Sequence, residues 1–282
     1  MKPEVLIILC IFVGFAVLEI LFTQFFRKPG QTRQDAWIEL ISTGSLMFVT
    51  QPFVLFAGGY VAFLLAPNSA GALATLPIIA QLGLLLVLDD MMQYWWHRLC
   101  HTSPWFYNLH RAHHNAEYLS IRVVYRNNVF YYLLMPSLWF SGALIYLGLG
   151  WVYAFYLVVK MTVITAAHCD VRWDAPLYRI PWLSPVMWIV ERTISTPSTH
   201  SAHHGKHLSD PATHYKGNYG NLLFFWDVLF GTARITRSYP ERMGVENLDE
   251  ATTAQQLLWP LVPMPIGSKK PAERQADPAE QQ

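Results

Sequence analysis

Eleven histidines lie between His97 and His214, and their spacing is that of metal ligands. His97 and His101 stand four residues apart, so on a helix their rings share one face and can converge on one ion. His110, His113 and His114 form an HxxHH box that aims three more rings from a second helix. His200, His203 and His204 repeat the box, and His168 stands alone between the two. A single HxxxH arises by chance. Two HxxHH boxes and an HxxxH together do not, and these nine nitrogen donors point to a metal centre. His207, three residues after His204, is a candidate further ligand, and His214 reads as a loop residue.

Nine imidazoles are too many for one tetrahedral zinc, and no HExxH supplies the glutamate of a zinc hydrolase, so two ions are expected. Imidazole suits zinc, copper, iron and nickel alike. A redox metal beside apolar spans fits O2 chemistry on lipid C–H bonds better than hydrolysis, which favours iron. Cys10, Cys100 and Cys169 stand far apart with no CxxC, which suggests neither a disulfide framework nor a thiolate site. Ligating histidines usually donate their other N–H to a carboxylate or carbonyl. Asp90, seven residues before His97 and two turns away on the same face, is the expected partner; a helix-end aspartate at the membrane interface is the alternative reading. Asp89, Asp170 and Asp227 are weaker candidates, with Asp227 also read as the anchor of a loop.

The elements that must position these rings are membrane helices. The chain of 282 residues is 53% hydrophobic and only 14% charged, too oily for an ordinary soluble enzyme. A net charge of +1 without a Lys/Arg-dense stretch sets nucleic acid aside. Apolar runs at 5–26, 46–65, 73–88, 129–149 and 151–167 predict five spans, the last two a hairpin turning at Gly148 and Gly150. The third is expected to continue as a helix through His101. Basic residues alternate: Arg27, Lys28 and Arg33, then none at 66–72, then four arginines across 98–126, none at the glycine turn, and many after Arg172. This pattern puts the N-terminus outside and every histidine on the cytosolic side. The expected fold is therefore an all-α polytopic membrane helical bundle with a cytosolic helical cap holding a two-metal site. Its expected divisions are N-terminal spans at 1–84, a catalytic domain at 85–235 and a tail at 236–282, disordered from about 263. Glu19 and Lys160 fall inside spans, where ionisable groups are costly. Trp95, Trp96, Trp105, Trp139 and Trp151 read as interfacial belts and packing.

The HRxxH of His97 to His101, the two HxxHH boxes, Asn218-Tyr219-Gly220, Trp226-Asp227 and Leu229-Phe230-Gly231-Thr232 together resemble the fatty acid hydroxylase / sterol desaturase superfamily. The resemblance runs over roughly residues 85–235 and lies nearest, by pattern, to bacterial sterol-desaturase-like proteins and alkylglycerol monooxygenases. It implies a helical membrane fold, as in a bacterial inner membrane. It also implies two iron ions held by eight or more histidines, and O2-dependent hydroxylation or desaturation of a lipid such as a sterol, a fatty acyl chain or an ether lipid. Some fatty acid 2-hydroxylases carry a third HxxxH box; here Arg172 stands four residues after His168, which leaves the ligand set there open. No cytochrome b5 haem motif and no GxGxxG is present, so electrons are expected from a separate electron-transfer protein or a diffusible reductant. A membrane metal transporter or metal-binding protein is the alternative from another class. A transport path needs polar ligands near the bilayer midplane, and these spans offer almost none.

Overall fold

The helix Pro3–Phe22 is apolar on every side, and its one buried residue is Glu19. Its exposed aliphatic side chains, each carrying on the order of 25 cal/mol of hydrophobic cost per Å² in water, are at home only in hydrocarbon. The structure is a computed structural model and describes residues 3–264. Among these residues it is all-helical, with one isolated β-bridge between Gly205 and Met243. Among the described residues three helical stretches are long and apolar enough to cross a membrane: Pro3–Phe22, Arg33–Leu65 and Pro136–His168, the last folded back on itself.

The boundaries differ from the expected runs for local reasons. Nothing breaks the chain before position 46, and Thr32 caps the second helix from Arg33, accepting from the Asp35 backbone N while the Asp35 carboxylate accepts from the Thr32 N at 2.7 Å. The third run starts at Ile78, after Pro77, and continues without a break to Thr102, as expected of the helix that carries His97 and His101. Pro136 has no N–H to donate, so Val129–Leu134 is a helix of its own. The helical stretch Pro136–His168 is divided at Gly148, whose φ of 110° only glycine adopts easily and whose missing Cβ would lie 2.9 Å from that of Ala74. The expected hairpin is present: Ser141 before the glycine and Tyr156 and Lys160 after it all reach Asp89, which a single helix rising about 1.5 Å per residue could not allow.

Small residues set the closest helix approach. A Cβ on Gly58 would lie 2.4 Å from the Trp139 carbonyl oxygen, and one on Gly142 would lie 2.4 Å from that of Leu55. The two backbones touch, as glycine pairs allow in membranes. Gly142→Leu is expected to force the helices apart and cost about 1–3 kcal/mol, read as a lower thermal midpoint in detergent.

Glu19 and Lys160, the ionisable residues expected inside spans, are satisfied. The Glu19 carboxylate accepts from Ser120 Oγ (2.6 Å), the Ile121 N (2.9 Å) and the Asp170 N (3.0 Å), pinning the first helix to two loops. Lys160 pairs with the buried Asp89, which also accepts from Tyr156 and Ser141. Trp95, Trp105 and Trp151 are exposed, whereas Trp96 is buried among Cys100, Leu109 and Tyr131. Residues 236–264, expected as a tail, fold back: Gly244 N donates to the His204 carbonyl, and the helix Thr253–Leu258 packs on the helices at 33–45 and 104–114. Apart from Pro263 and Met264, the expected disorder from about 263 lies outside the described residues.

Candidate metal centre

Three helices and one helix end deliver the histidines. His97 and His101 ride the 78–102 helix. Pro104–His114 starts at a proline in its first turn and carries His110, His113 and His114. Pro197–His203 starts at a capping box in which Thr196 accepts from the Thr199 N, and presents His200 and His203, with His204 as its terminal cap. His168 ends the helix Gly150–His168.

The rings meet in two groups. His97, His101, His110, His114 and His203 form one; His113, His168, His200 and His204 form the other. Within each group the ligand nitrogens lie within 4.8 Å of one another. Neither box stays together. At about 100° per residue, positions i and i+4 on a helix point about 40° apart, while i+3 diverges from i+4 by about 100°. The i, i+4 pairs therefore share a group (His97 with His101, His110 with His114, His200 with His204), and the middle histidine of each box, His113 or His203, crosses to the other.

Five rings have their tautomer fixed. Nδ1 of His97 faces the Tyr219 carbonyl (2.7 Å), that of His110 the Asn127 Oδ1 (2.7 Å), that of His113 the Val123 carbonyl (3.0 Å), that of His168 the Ile164 carbonyl (2.8 Å) and that of His203 the Gly217 carbonyl (2.7 Å). These oxygens only accept, so each Nδ1 carries the hydrogen and each Nε2 is left with a bare lone pair. Yet His97 Nε2 and His203 Nε2 face each other at 3.0 Å, and His113 Nε2 and His168 Nε2 at 3.4 Å. Two lone pairs repel at that range unless a cation lies between them. The other Nε2 contacts run from 2.9 to 3.1 Å. At a metal–nitrogen length of about 2.1 Å, neighbouring ligands stand about 3.0 Å apart at a right angle and about 3.4 Å at the tetrahedral angle, which is the observed range.

Burial makes the cage ready for a cation. Removal from water pushes the pKa of His101, His110, His113, His114, His200, His203 and His204 well below the ordinary imidazole value, and that of His97 to about 4. Neutral imidazole is the form that binds metal. His101 alone of the nine is partly exposed; it borders a pocket lined by Tyr107, Tyr215 and Lys216.

The supporting shell is made of loops. Asp227 accepts from the Tyr219 N (2.8 Å), the Gly220 N (2.6 Å) and Thr232 Oγ1 (2.6 Å). Asn218, at φ 57°, donates to the Thr199 and Arg234 carbonyls at 2.9 Å each. Together they hold the Gly217 and Tyr219 carbonyls against His203 and His97. Asp90, expected to hold a histidine, does not: its carboxylate accepts from Trp226 Nε1 (2.8 Å) and the Leu223 N (3.1 Å), because the turn at 217–220 reaches His97 first. Asp90 thus supports the same loop from its other end. His207 joins neither group and faces Glu246 at 3.2 Å, half-exposed; Arg172 stacks on the Tyr239 ring at 4.3 Å. His214 faces the Thr232 carbonyl at 3.2 Å, as a loop residue would.

Asn127 carries no sequence signal of its own. Its amide donates to Tyr132 OH at 3.1 Å, which turns Oδ1 toward His110, and its neighbour Arg126, fully buried, is locked to Asp35 at 2.6 Å. Asn127→Leu leaves His110 without its acceptor and is expected to cost 10- to 100-fold in metal affinity, as loss of such partners typically does; a competing chelator titration measures it.

The fatty acid hydroxylase family pattern matches residues 82–232. Among curated proteins, the chain is 30% identical over 143 residues to the alkylglycerol monooxygenase of Danio rerio, covering 51% of this chain and 28% of that protein. It is 27% identical to that of Homo sapiens with the same coverage, and 26% identical over 153 residues to that of Caenorhabditis elegans, covering 54% of this chain and 26% of the relative. The match thus spans little more than a quarter of these relatives' length. No solved structure matches the chain.

Proposed function

Since the chain belongs to the fatty acid hydroxylase family, we propose that it is a membrane oxidoreductase holding two iron ions and inserting oxygen into, or desaturating, a C–H bond of a lipid. The observation that carries this reading is the pair of lone-pair contacts, His97 with His203 and His113 with His168, one in each group, which a cation in each would relieve. The five-histidine group would hold one ion and the four-histidine group the other. Iron, when bound, supplies the redox chemistry that activates O2.

The protein's part is to hold neutral imidazoles in place. Carbonyl and amide oxygens keep the hydrogen on Nδ1, Asp227 and Asn218 keep those carbonyls still, and burial keeps bulk water from all but His101. A sterol, acyl chain or ether lipid would reach the cage from the bilayer, and the two electrons would come from a separate electron-transfer protein or a diffusible reductant. The alternation of basic residues supports an orientation with the cage and C-terminus in the cytosol. Purified protein should contain two irons per chain and consume O2 under reduction when its lipid is supplied. Protein without iron, or iron-loaded protein inert toward every lipid class offered, overturns the proposal.

A further inference from the structure

The helix Ser184–Thr193 is inside out for water. Its inward residues are Met187 and Glu191, both buried. Glu191 takes the Arg237 guanidinium in a two-bond fork (Nε–Oε2 2.9 Å, Nη2–Oε1 2.8 Å) and one bond from Arg192 at 2.9 Å. Apart from Thr193 at its end, its outward residues are apolar: Val186 is 51% exposed, Trp188 55% and Ile189 58%, and Trp182 just upstream reaches 76%. A surface helix normally turns its charges out and its apolar stripe in. Here the carboxylate is inside, its two arginines reach in from the rim, and the apolar stripe is outside, which is favourable only where the outside is apolar.

The apolar face continues toward the spans. The adjoining helix Phe225–Phe230 exposes Phe225 and Leu229, and its Phe230 ring packs 4.9 Å from Trp95, itself exposed on the 78–102 helix. That helix in turn packs its earlier turns on both arms of the Pro136–His168 hairpin through Leu85, Leu144 and Val152. At the rim, the Arg192 guanidinium lies 4.3 Å from the Trp188 ring centroid, the pairing of a headgroup-level cation with an indole at an interface. We propose that Ser184–Thr193, together with the exposed edge of Phe225–Phe230, lies in the plane of the membrane with its outward face sunk into the lipid leaflet on the cage side. Its partner is the lipid surface itself.

The placement bears on the cage. Only Ile194, Ser195 and Thr196 separate this helix from the one carrying His200 and His203. Ser195 N donates to the Leu222 carbonyl (3.2 Å) and its Oγ to the Gly220 carbonyl (2.5 Å), the loop that also positions His97. The depth of the in-plane helix therefore fixes the height of the second HxxHH box above the hydrocarbon.

The test uses the full chain with Cys10→Ser, since Cys10 is exposed while Cys100 and Cys169 are buried. Val186→Cys and Ile189→Cys are each added separately, with Arg179→Cys as an exposed control outside the helix, and labelled with an environment-sensitive nitrobenzoxadiazole dye. The proteins are reconstituted in phosphatidylcholine/phosphatidylglycerol vesicles with and without brominated acyl chains. Labels at 186 and 189 are expected to emit blue-shifted light quenched at least about twofold by bromine, and the label at 179 to emit as in water. Water-like emission at both outward positions overturns the proposal. So does blue-shifted emission that bromine leaves unquenched, which would mean that protein, a second copy or another partner, covers the face.

Discussion

In the His203→Ala protein, metal is expected to fall from two ions per chain to at most one, and lipid-dependent O2 consumption to fall to the level of metal-stripped protein. His203 is the only ligand that the second box gives the five-histidine group, and its Nε2 faces that of His97 at 3.0 Å. Its loss opens the cage on one side and frees the Gly217 carbonyl that held its ring. His200→Ala is expected to do the same to the four-histidine group, where its Nε2 contacts both His168 (2.9 Å) and His204 (3.1 Å). His207→Ala is the control: it lies outside both groups and should keep both metals. Metal analysis of the three purified variants decides between these outcomes; a His207 variant that loses an ion, or a His203 variant that keeps two, contradicts the assignment.

Metal-free protein is expected to unfold abruptly in mild acid. Burial holds eight of the cage histidines below the ordinary imidazole pKa, with His97 at about 4. Below about pH 6.5 the unfolded chain takes up protons that the folded cage refuses, so stability is complete above that pH and drains as pH falls toward the folded values. Each such histidine costs about 1.4 kcal/mol per pH unit. Eight together cost on the order of 10 kcal/mol over one unit, comparable to the whole stability of a typical domain. The transition of the apoprotein should therefore fall near pH 5–6 and be steep. Bound metal excludes the same protons and should move the midpoint to lower pH. Circular dichroism against pH, with and without iron, reads both midpoints; a shallow profile in the apoprotein would contradict this account.

The candidate ligands were legible because helical spacing is a local property of the chain. His97 and His101, and the two HxxHH boxes, announce convergent rings without any knowledge of the fold. Their division into groups of five and four was not legible, because it depends on which neighbour each middle histidine faces once the helices are packed. Spacing alone suggested that His110, His113 and His114 act together, whereas the divergence of i+3 from i+4 sends His113 to the other group. The partners of the rings were less legible still. A carboxylate at Asp90 has a side-chain signature that can be counted in turns, but the observed acceptors at Tyr219, Gly217 and Val123 are backbone carbonyls, which every residue has. The Asn218-Tyr219-Gly220 and Trp226-Asp227 motifs were visible, and their task emerges only when Asp227 is seen gripping the Tyr219 and Gly220 amides. In the membrane part, apolar runs located the helices, while a capping box at Thr32 and a turn at Gly148 set their ends.

The crossing of His113 and His203 couples the filling of the two groups. Each HxxHH helix serves both groups, so on the two-metal reading an ion captured in one group has already immobilised the helix that presents a ligand to the other. The second ion then meets a site whose ordering cost has been met by the first, which makes loading cooperative. Gradual stripping by a chelator should consequently yield full and empty chains with few half-filled ones, and native mass spectrometry of the mixture would count them.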